Sequence, residues 1–191
     1  MNKIFKKIIL KAIHIYDGIR LFSRLRSKFY FRNYKVLLGK NTKIVGLPKQ
    51  IKVGENINVY DNVIMHFGHL ANVEFGSKII FSYNVILEVN QGLSIGSYVQ
   101  IGEFTSIRDT THQYAVDGIM MNKPDLSSSI VIGNNVWIGR NCLILGGTII
   151  EDGVVVAANS VVKGHLNGDS IYGGAPAKFI KLRKLNHENE K

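Results

Sequence analysis

Along most of this chain an aliphatic residue returns at every sixth position, and glycine often follows it. The clearest run consists of the hexapeptides IGSYVQ, IGEFTS and IRDTTH, which begin at Ile95, Ile101 and Ile107. A second run of hexapeptides begins at Ile132 and ends at Val161. Alternating strands of a β-sandwich would also place apolar residues six apart, but they would not repeat Ile-Gly in the same phase. The pattern therefore predicts a repeat array rather than a sandwich.

Each hexapeptide has the length of one short strand and one turn, so three of them would close one coil of a triangular prism. The aliphatic residue would point into the prism. Gly, Asn and Asp would occupy the corners, where special backbone angles cost them little. Because no coil can bury its own inner face, neighbouring coils must stack. The repeat from about Val36 onwards is long enough for roughly six coils, which predicts a mainly β solenoid.

Three stretches depart from the repeat. Residues 113–129 break the repeat, and their polar run and Pro124 predict a loop extruded from one corner of the solenoid domain, residues 36–177. Residues 1–35 combine apolar positions at helical spacing with many basic residues, which predicts a basic amphipathic helical segment. Residues 178–191 are expected to form a short C-terminal capping helix and a tail.

The net charge of +10 is concentrated near the N-terminus. Residues 1–52 hold fourteen Lys and Arg and one acidic residue, a net charge of +13, whereas the remainder holds ten basic and thirteen acidic residues, a net charge of −3. A nucleic-acid-binding protein usually carries its basic residues on the folded domain, so we expect no nucleic-acid partner. Two hypotheses remain for residues 1–28: peripheral contact with an anionic membrane, or packing of their apolar stripe on the first coil.

Cysteine usage and hydropathy favour a cytoplasmic location. Cys142 is the sole cysteine and has no partner for an internal disulfide, which fits a reducing compartment. A transmembrane helix needs about 20 apolar residues in succession, and the sequence contains no such run. The apolar run near the N-terminus is also too short for the core of a signal peptide.

The second half of the chain resembles a known family. The segment IGNNVWIGRNCLILGGTIIEDGVVVAANSVV, followed by YGGAPAKFIK, is similar to the hexapeptide-repeat acetyltransferases, which include galactoside, maltose and capsule-sugar O-acetyltransferases. The resemblance is strong from about Phe75 to Lys181. It implies a left-handed parallel β-helix that transfers acetyl from acetyl-CoA to a sugar hydroxyl, as in the synthesis of capsule, O-antigen or exopolysaccharide. It also implies a homotrimer with active sites between neighbouring prisms.

The resemblance assigns His112, in IRDTTH, as the catalytic base. A sugar hydroxyl is a poor nucleophile until its proton is removed, and a neutral imidazole suits that task. Asp109 either orients the imidazole ring or caps the local turn. The resemblance also implies that Trp137 lines the acceptor or pantetheine groove. Where galactoside-type members carry an asparagine that helps to hold the acceptor or the oxyanion, this sequence has Ser82, with Asn84 two residues on.

A second set of residues is expected to bind acetyl-CoA. The Gly-Gly pair ending at Gly147 and the small residue Ala158 would let the pantetheine arm approach the backbone closely. By resemblance, Lys178 and Lys181 would meet the nucleotide phosphates, and Arg183 would add to them. No metal is expected.

Three alternatives remain open at this point. The first is N-acetylation of an amino sugar instead of O-acetylation. The second is a zinc enzyme of the carbonic anhydrase type, for which His66, His69 and His112 are the available ligands. The third is a non-catalytic solenoid that serves as a binding module. Binding of CoA separates an acetyltransferase from the second and third alternatives, because a scaffold would bind none and a zinc enzyme would bind metal instead.

Overall fold

The computed structural model describes residues 36–114 and 118–184 as a three-sided parallel β-solenoid. The predicted N-terminal helix, residues 1–35, and the tail beyond residue 184 lie outside the described residues. The solenoid has three sheets, which we call faces A, B and C. Faces B and C each contain six strands in parallel, so the prediction of about six coils is confirmed.

The chain visits the faces in the order A, B, C. Face A contains β1 (Val36–Leu38), β4 (Ile57–Val59), β7 (Ile80–Phe81), β10 (Gln100–Ile101), β15 (Trp137–Ile138), β18 (Val155–Val156), β21 (Ser170–Gly173) and β22 (Lys178–Leu182). Face B contains β2 (Lys43–Gly46), β5 (Ile64–Phe67), β8 (Ile86–Val89), β11 (Ser106–Arg108), β16 (Leu143–Leu145) and β19 (Val161–Val162). Face C contains β3 (Gln50–Val53), β6 (Asn72–Phe75), β9 (Gly92–Ile95), β14 (Ile130–Ile132), β17 (Ile149–Ile150) and β20 (His165–Leu166).

The hexapeptide aliphatics form the core, as the sequence predicts. The parallel strands of each face pair in register, so equivalent residues of successive coils stack directly on one another inside the prism. On face A the buried stack is Val59, Phe81, Ile101, Ile138, Val156 and Tyr172. This stacking removes the inner face of every coil from water, which is the main stabilising contribution in such an array.

The corner between faces A and B contains a ladder of residues in the left-handed backbone region. Asn supplies five of them, namely Asn41, Asn62, Asn84, Asn141 and Asn159, with φ between 53° and 63°. Asn tolerates this conformation better than most residues because its short polar side chain bonds locally. The sixth position is Phe104, with φ of 62°.

The loop of residues 113–129 leaves the corner between faces B and C through a short antiparallel stem. Its strands are β12 (Thr110–Thr111) and β13 (Leu126–Ser127), and a 3₁₀ turn, Met120–Asn122, lies between them. Among the described residues no helix is long and apolar enough to cross a membrane.

The prediction of a C-terminal helix from residue 178 is wrong for the described part of that segment. The chain turns after β21, with Gly174 at φ of 102°, and β22 returns antiparallel to it. As the last parallel strand of face A, β21 would otherwise expose a row of unpaired N–H and C=O groups, and β22 satisfies them. The Phe179 ring also packs edge-on against Tyr172, with ring centroids 5.8 Å apart.

Candidate functional site

The stem of the extruded loop brings His112 opposite Asp125. The antiparallel register pairs Thr110 with Ser127 and Thr111 with Leu126, so the next residues along the two strands face each other. The Nδ1 atom of His112 lies 2.7 Å from Oδ1 of Asp125. The His112 side chain is 87% exposed and that of Asp125 46%. The ring is therefore held at one nitrogen while its other nitrogen stays accessible.

The chemistry of this pair fixes the imidazole tautomer. An ionised carboxylate accepts hydrogen bonds but cannot donate them, so the proton of a neutral His112 ring lies on Nδ1. The Nε2 atom then carries the free lone pair that a general base needs. Geometry thus gives the predicted base an orienting carboxylate.

Asp109 does not supply that orienting contact, although it was one of the two roles predicted for it. Its carboxylate is 1% exposed and accepts the backbone N–H groups of Asn90, Gln91 and Gly92 at 2.8, 2.7 and 2.8 Å. The Thr110 hydroxyl donates to it as well, at 2.8 Å. Asp109 therefore caps a turn, as its second predicted role requires, but the turn belongs to the coil below and not to its own coil.

The base of the stem is tied to the solenoid through Thr110. Its hydroxyl accepts a hydrogen bond from the Asn90 side-chain amide at 2.9 Å and lies 3.0 Å from the Ser127 hydroxyl. Together with the bond to Asp109, these contacts join both strands of the stem to the coil below. These contacts anchor the stem that carries His112 to the solenoid.

The predicted CoA-binding glycines lie on the same corner, one coil above. A Cβ added at Gly146 would lie 2.6 Å from the backbone oxygen of Asp109, so only glycine fits there. Gly147 has φ of 81° and donates its N–H to the Ser128 carbonyl at 3.0 Å. A small-residue surface thus adjoins the base of the loop that carries His112.

The other predicted site residues lie elsewhere on the prism. Trp137 projects outward from the centre of face A and is 56% exposed. Ser82 and Asn84 lie at the corner between faces A and B, and so does Ala158, two coils beyond Phe104. In a three-sided prism face A is opposite the corner of faces B and C. One chain therefore does not bring these residues to His112.

The predicted phosphate-binding residues divide into two groups. Lys178 and Lys181 lie on β22, and both are exposed; Lys178 pairs with Gly173 of β21. Arg183 is partly engaged inside the molecule, because its Nη1 donates to the Gly153 carbonyl at 2.7 Å. The two lysines are therefore the freer cations for a ligand.

The histidines of the zinc alternative do not converge. His66 lies on β5 of face B, His69 follows that strand, and His112 lies on the loop stem two coils away. Within residues 36–114 and 118–184 no three His, Cys, Asp or Glu side chains are grouped to hold a metal ion. The geometry thus gives the zinc hypothesis no ligand set.

Comparison with known proteins agrees with this architecture. Residues 129–164 match the family model described as bacterial transferase hexapeptide, six repeats. The chain carries the bacterial transferase hexapeptide repeat. The resemblance drawn from the second half of the sequence is therefore confirmed for the hexapeptide repeat.

Two relatives are similar in sequence. One is the putative lipopolysaccharide biosynthesis O-acetyl transferase WbbJ of Escherichia coli (strain K12), 53% identical over 64 residues, which are 34% of this chain and 32% of that protein. Another is the probable acetyltransferase Rv3034c of Mycobacterium tuberculosis, 30% identical over 158 residues, which are 80% of this chain and 52% of that protein. The hexapeptide-repeat chain thus spans between about a third and about half of the length of these relatives.

A solved structure shares the fold along nearly the whole chain. A point mutant of AntD, an N-acyltransferase from Bacillus cereus, in complex with dTDP and coenzyme A, superimposes with a TM-score of 0.67 at 23% identity. The match covers 85% of this chain and 90% of AntD. At that identity the likeness establishes the fold.

Proposed function

We propose that this protein is an acyltransferase that moves an acetyl group from acetyl-CoA to a sugar hydroxyl, with His112 as the base. The observation that carries the proposal is the hydrogen bond of 2.7 Å between Nδ1 of His112 and Asp125. This bond leaves the accessible Nε2 atom as the proton acceptor, beside a surface of small residues suited to an extended cofactor.

The reaction follows from this arrangement. Nε2 of His112 takes the proton of the sugar hydroxyl as the oxygen attacks the thioester carbonyl, and a C–O bond forms. The tetrahedral intermediate then collapses, the C–S bond breaks, and the imidazolium returns the proton to the departing CoA thiolate. Asp125 stabilises the positive charge that His112 carries between these two steps.

The separation of the site residues supports a site shared between chains, and we propose as the active form the homotrimer that the family resemblance implies. His112 and Gly147 lie on the corner between faces B and C, whereas Trp137 lies on the opposite face. In the proposed assembly, the loop corner of one prism meets face A of the next. Trp137, Ser82 and Asn84 of that neighbour would then contact the acceptor.

Acetyl-CoA would lie in the groove between the two prisms. Gly147 of one prism and Ala158 of the other would border the pantetheine arm, because neither carries a bulky side chain. Lys178 and Lys181 would bind the phosphates of the nucleotide, and Arg183 would contribute less because of its contact with Gly153. AntD was solved with coenzyme A bound, which supports a CoA ligand for this fold.

The acceptor class rests on the relatives. The name of WbbJ refers to O-acetylation in lipopolysaccharide biosynthesis, which supports a surface-polysaccharide acceptor. N-acetylation of an amino sugar is the second candidate, because a mutant of AntD was solved in complex with dTDP-4-amino-4,6-dideoxyglucose and coenzyme A.

A screen of acceptors tests the proposal directly. Purified protein is incubated with acetyl-CoA and either glycosides, polysaccharide fragments or nucleotide-linked amino sugars, and released CoA is measured. We expect release with a hydroxyl acceptor, and a fall in kcat of about two to four orders of magnitude in His112→Ala with unchanged CoA affinity. Release only with amino sugars would support the second candidate. Absence of CoA binding would leave a non-catalytic module.

The basic N-terminal segment leaves two hypotheses, peripheral contact of residues 1–28 with an anionic membrane or packing of these residues on the first coil. The test is sedimentation with anionic vesicles at low and high salt. Membrane contact predicts binding that fades with salt and is lost when residues 1–28 are removed. Failure of the intact protein to bind, together with a lower Tm of the trimmed protein, would instead indicate that the segment caps the first coil.

A further inference from the structure

Three exposed aromatic rings follow one another along the corner between faces A and B. Tyr60, Tyr83 and Phe104 lie on three successive coils, and their exposed fractions are 40%, 51% and 54%. The Tyr60 and Tyr83 rings contact each other, with centroids 5.1 Å apart. We call these three residues the aromatic corner. Exposed aromatic side chains that lie next to one another are candidates for a binding surface, unlike single exposed apolar residues.

The backbone at Phe104 is in a conformation that its side chain disfavours. The equivalent corner position of the coil below is Asn84 and that of the coil above is Asn141, and all three have positive φ. Side-chain amides bond along this ladder, from Asn141 to Asn159 at 2.8 Å for example. Phe104 interrupts the ladder, because it has no side-chain amide to bond to the neighbouring coils. Such strain is typical of residues retained for function.

A second strained aromatic provides a contrast on the same coil. Tyr98 also has φ of 62° and lies at the corner between faces C and A, where other coils have Asn56 and Asn135. Its ring is covered by Lys78, whose Nζ lies 4.6 Å from the ring centroid and 3.1 Å from the hydroxyl. Among the described residues no cation or second ring lies against Phe104. The Tyr98 ring thus contacts Lys78 within the protein, whereas the Phe104 ring is available to contact a ligand.

The aromatic corner is continuous with the surface assigned to the acceptor. Ser82 immediately precedes Tyr83, and it stacks between Tyr60 of the coil below and Gly102 of the coil above. Face A, with Trp137 at its centre, begins directly beside this corner. A ligand that reaches Ser82 therefore has the aromatic rings next to it.

We propose that the aromatic corner binds further sugar units of an oligosaccharide acceptor, next to the unit that is acetylated. This inference rests on the proposed function for the class of acceptor. Adjacent coils are about 4.8 Å apart, so Tyr60 and Phe104, two coils apart, are separated by about 10 Å along the prism, the scale of a disaccharide. The rings offer flat apolar surfaces to the C–H faces of pyranoses, and Ser82 and the tyrosine hydroxyls offer hydrogen bonds.

The chemistry of the corner favours a saccharide over a second copy of the chain. Polar residues alternate with the rings along the corner: Ser82 and Asn84 flank Tyr83, and Glu103, which pairs with Arg140 at 3.3 Å, precedes Phe104. An interface between copies would favour a continuous apolar surface with its charges removed from the centre. Aromatic rings interspersed with hydroxyl and amide groups suit an amphipathic sugar chain.

The test compares Phe104→Asn with Tyr98→Asn. Both variants place the residue that this backbone prefers at a positive φ, so both are expected to fold, and only the first alters the aromatic corner. Binding is measured by calorimetry without acetyl-CoA, using glucose, galactose and N-acetylglucosamine tetrasaccharides and their methyl glycosides. Because no acetyl transfer is required, failure of the proposed chemistry and failure of this inference are distinguishable.

We expect the wild-type protein to bind one of the three tetrasaccharides more tightly than the methyl glycoside of the same sugar. Phe104→Asn should weaken that tetrasaccharide by about three- to tenfold, the loss expected for one aromatic contact, and Tyr98→Asn should leave it unchanged. Equal affinity for tetrasaccharide and glycoside, no saccharide binding, or equal losses in both variants would overturn the inference. A change of oligomeric state in Phe104→Asn, measured by light scattering, would assign the corner to an interface between copies and would overturn it as well.

Discussion

Replacement of Asp125 by Asn tests whether this carboxylate holds His112 in its working tautomer. The two side chains have nearly the same shape, so the loop stem should keep its structure. The amide can either donate or accept, however, and it no longer requires the His112 proton to lie on Nδ1. The perturbation therefore removes the charge and the tautomer control while the contact itself remains.

The size of the effect follows from the exposure of the pair. A hydrogen bond to a charged group contributes about 1.5–3 kcal/mol. The His112 side chain is 87% exposed and that of Asp125 46% in one chain, so water screens the pair and the loss should fall in the lower part of that range. We expect kcat to fall about ten- to thirtyfold. A fully buried triad loses about ten-thousandfold on the same substitution.

The assay is steady-state CoA release with the best acceptor from the screen. A residue that acts through His112 should lower kcat with little change in KM for acetyl-CoA, and Asp125→Glu should restore part of the activity. The double variant with His112→Ala should be no slower than His112→Ala alone, because the two residues act as a unit. Glu74→Gln, a neutralised carboxylate on face C, serves as the control.

Two results would refute this reasoning. If Asp125→Asn retained turnover within about twofold of the wild type, the hydrogen bond would have no catalytic consequence. If the losses in the double variant multiplied, Asp125 would act independently of His112. A changed Tm in Asp125→Asn would show that the stem had been disturbed, and Asp125→Glu would then decide between the two roles.

The remaining predictions concern stability and ligand affinity. Asp109→Asn should lower the free energy of unfolding by about 2–4 kcal/mol, measured with urea, because buried backbone N–H groups lose a charged acceptor. Lys178→Glu with Lys181→Glu should weaken CoA more than dephospho-CoA in calorimetry. The hydrogen bond from the Gly168 N–H, and then that with His165, lower the pKa of Glu151. The stabilisation that Glu151 provides is therefore complete above the ordinary carboxyl pKa of 4.5 and is lost in stronger acid. Glu151→Gln should make the free energy of unfolding depend less on pH in that acid range.

The fold was predictable because one six-residue period repeats along the sequence. Hexapeptides that each place one aliphatic residue inward, such as those between Ile95 and Val156, are typical of stacked three-sided coils. The register between strands of successive coils follows from this period. The C-terminal strand was not predictable in the same way. Residues 178–182 mix apolar and basic positions that suit a short helix or a strand, and the unpaired edge of β21 decides the outcome.

The site was only partly predictable, for a related reason. His112 and Trp137 lie within recognisable sequence motifs, so the sequence alone identifies them as site candidates. Asp125 stands thirteen residues after His112, on the far side of a loop outside the repeat, and only the antiparallel stem brings the two together. Asp109 lay closer in sequence and was the natural candidate, yet its burial at the base of the stem directs its carboxylate to the coil below.

The division of the site between the loop and the faces has a consequence for specificity. The solenoid fixes Ser82 and Trp137 on a rigid sheet, whereas His112 stands on a stem joined to the coil below by Thr110 and Asp109. A base on a loop can reach a neighbouring prism only if that neighbour is present, so activity requires assembly under the proposed arrangement. Under the two proposals the loop carries out the chemistry, and the corner of Tyr60, Tyr83 and Phe104 selects the acceptor chain. Acceptor preference should therefore change through substitutions at the corner without loss of the acetyl-transfer step.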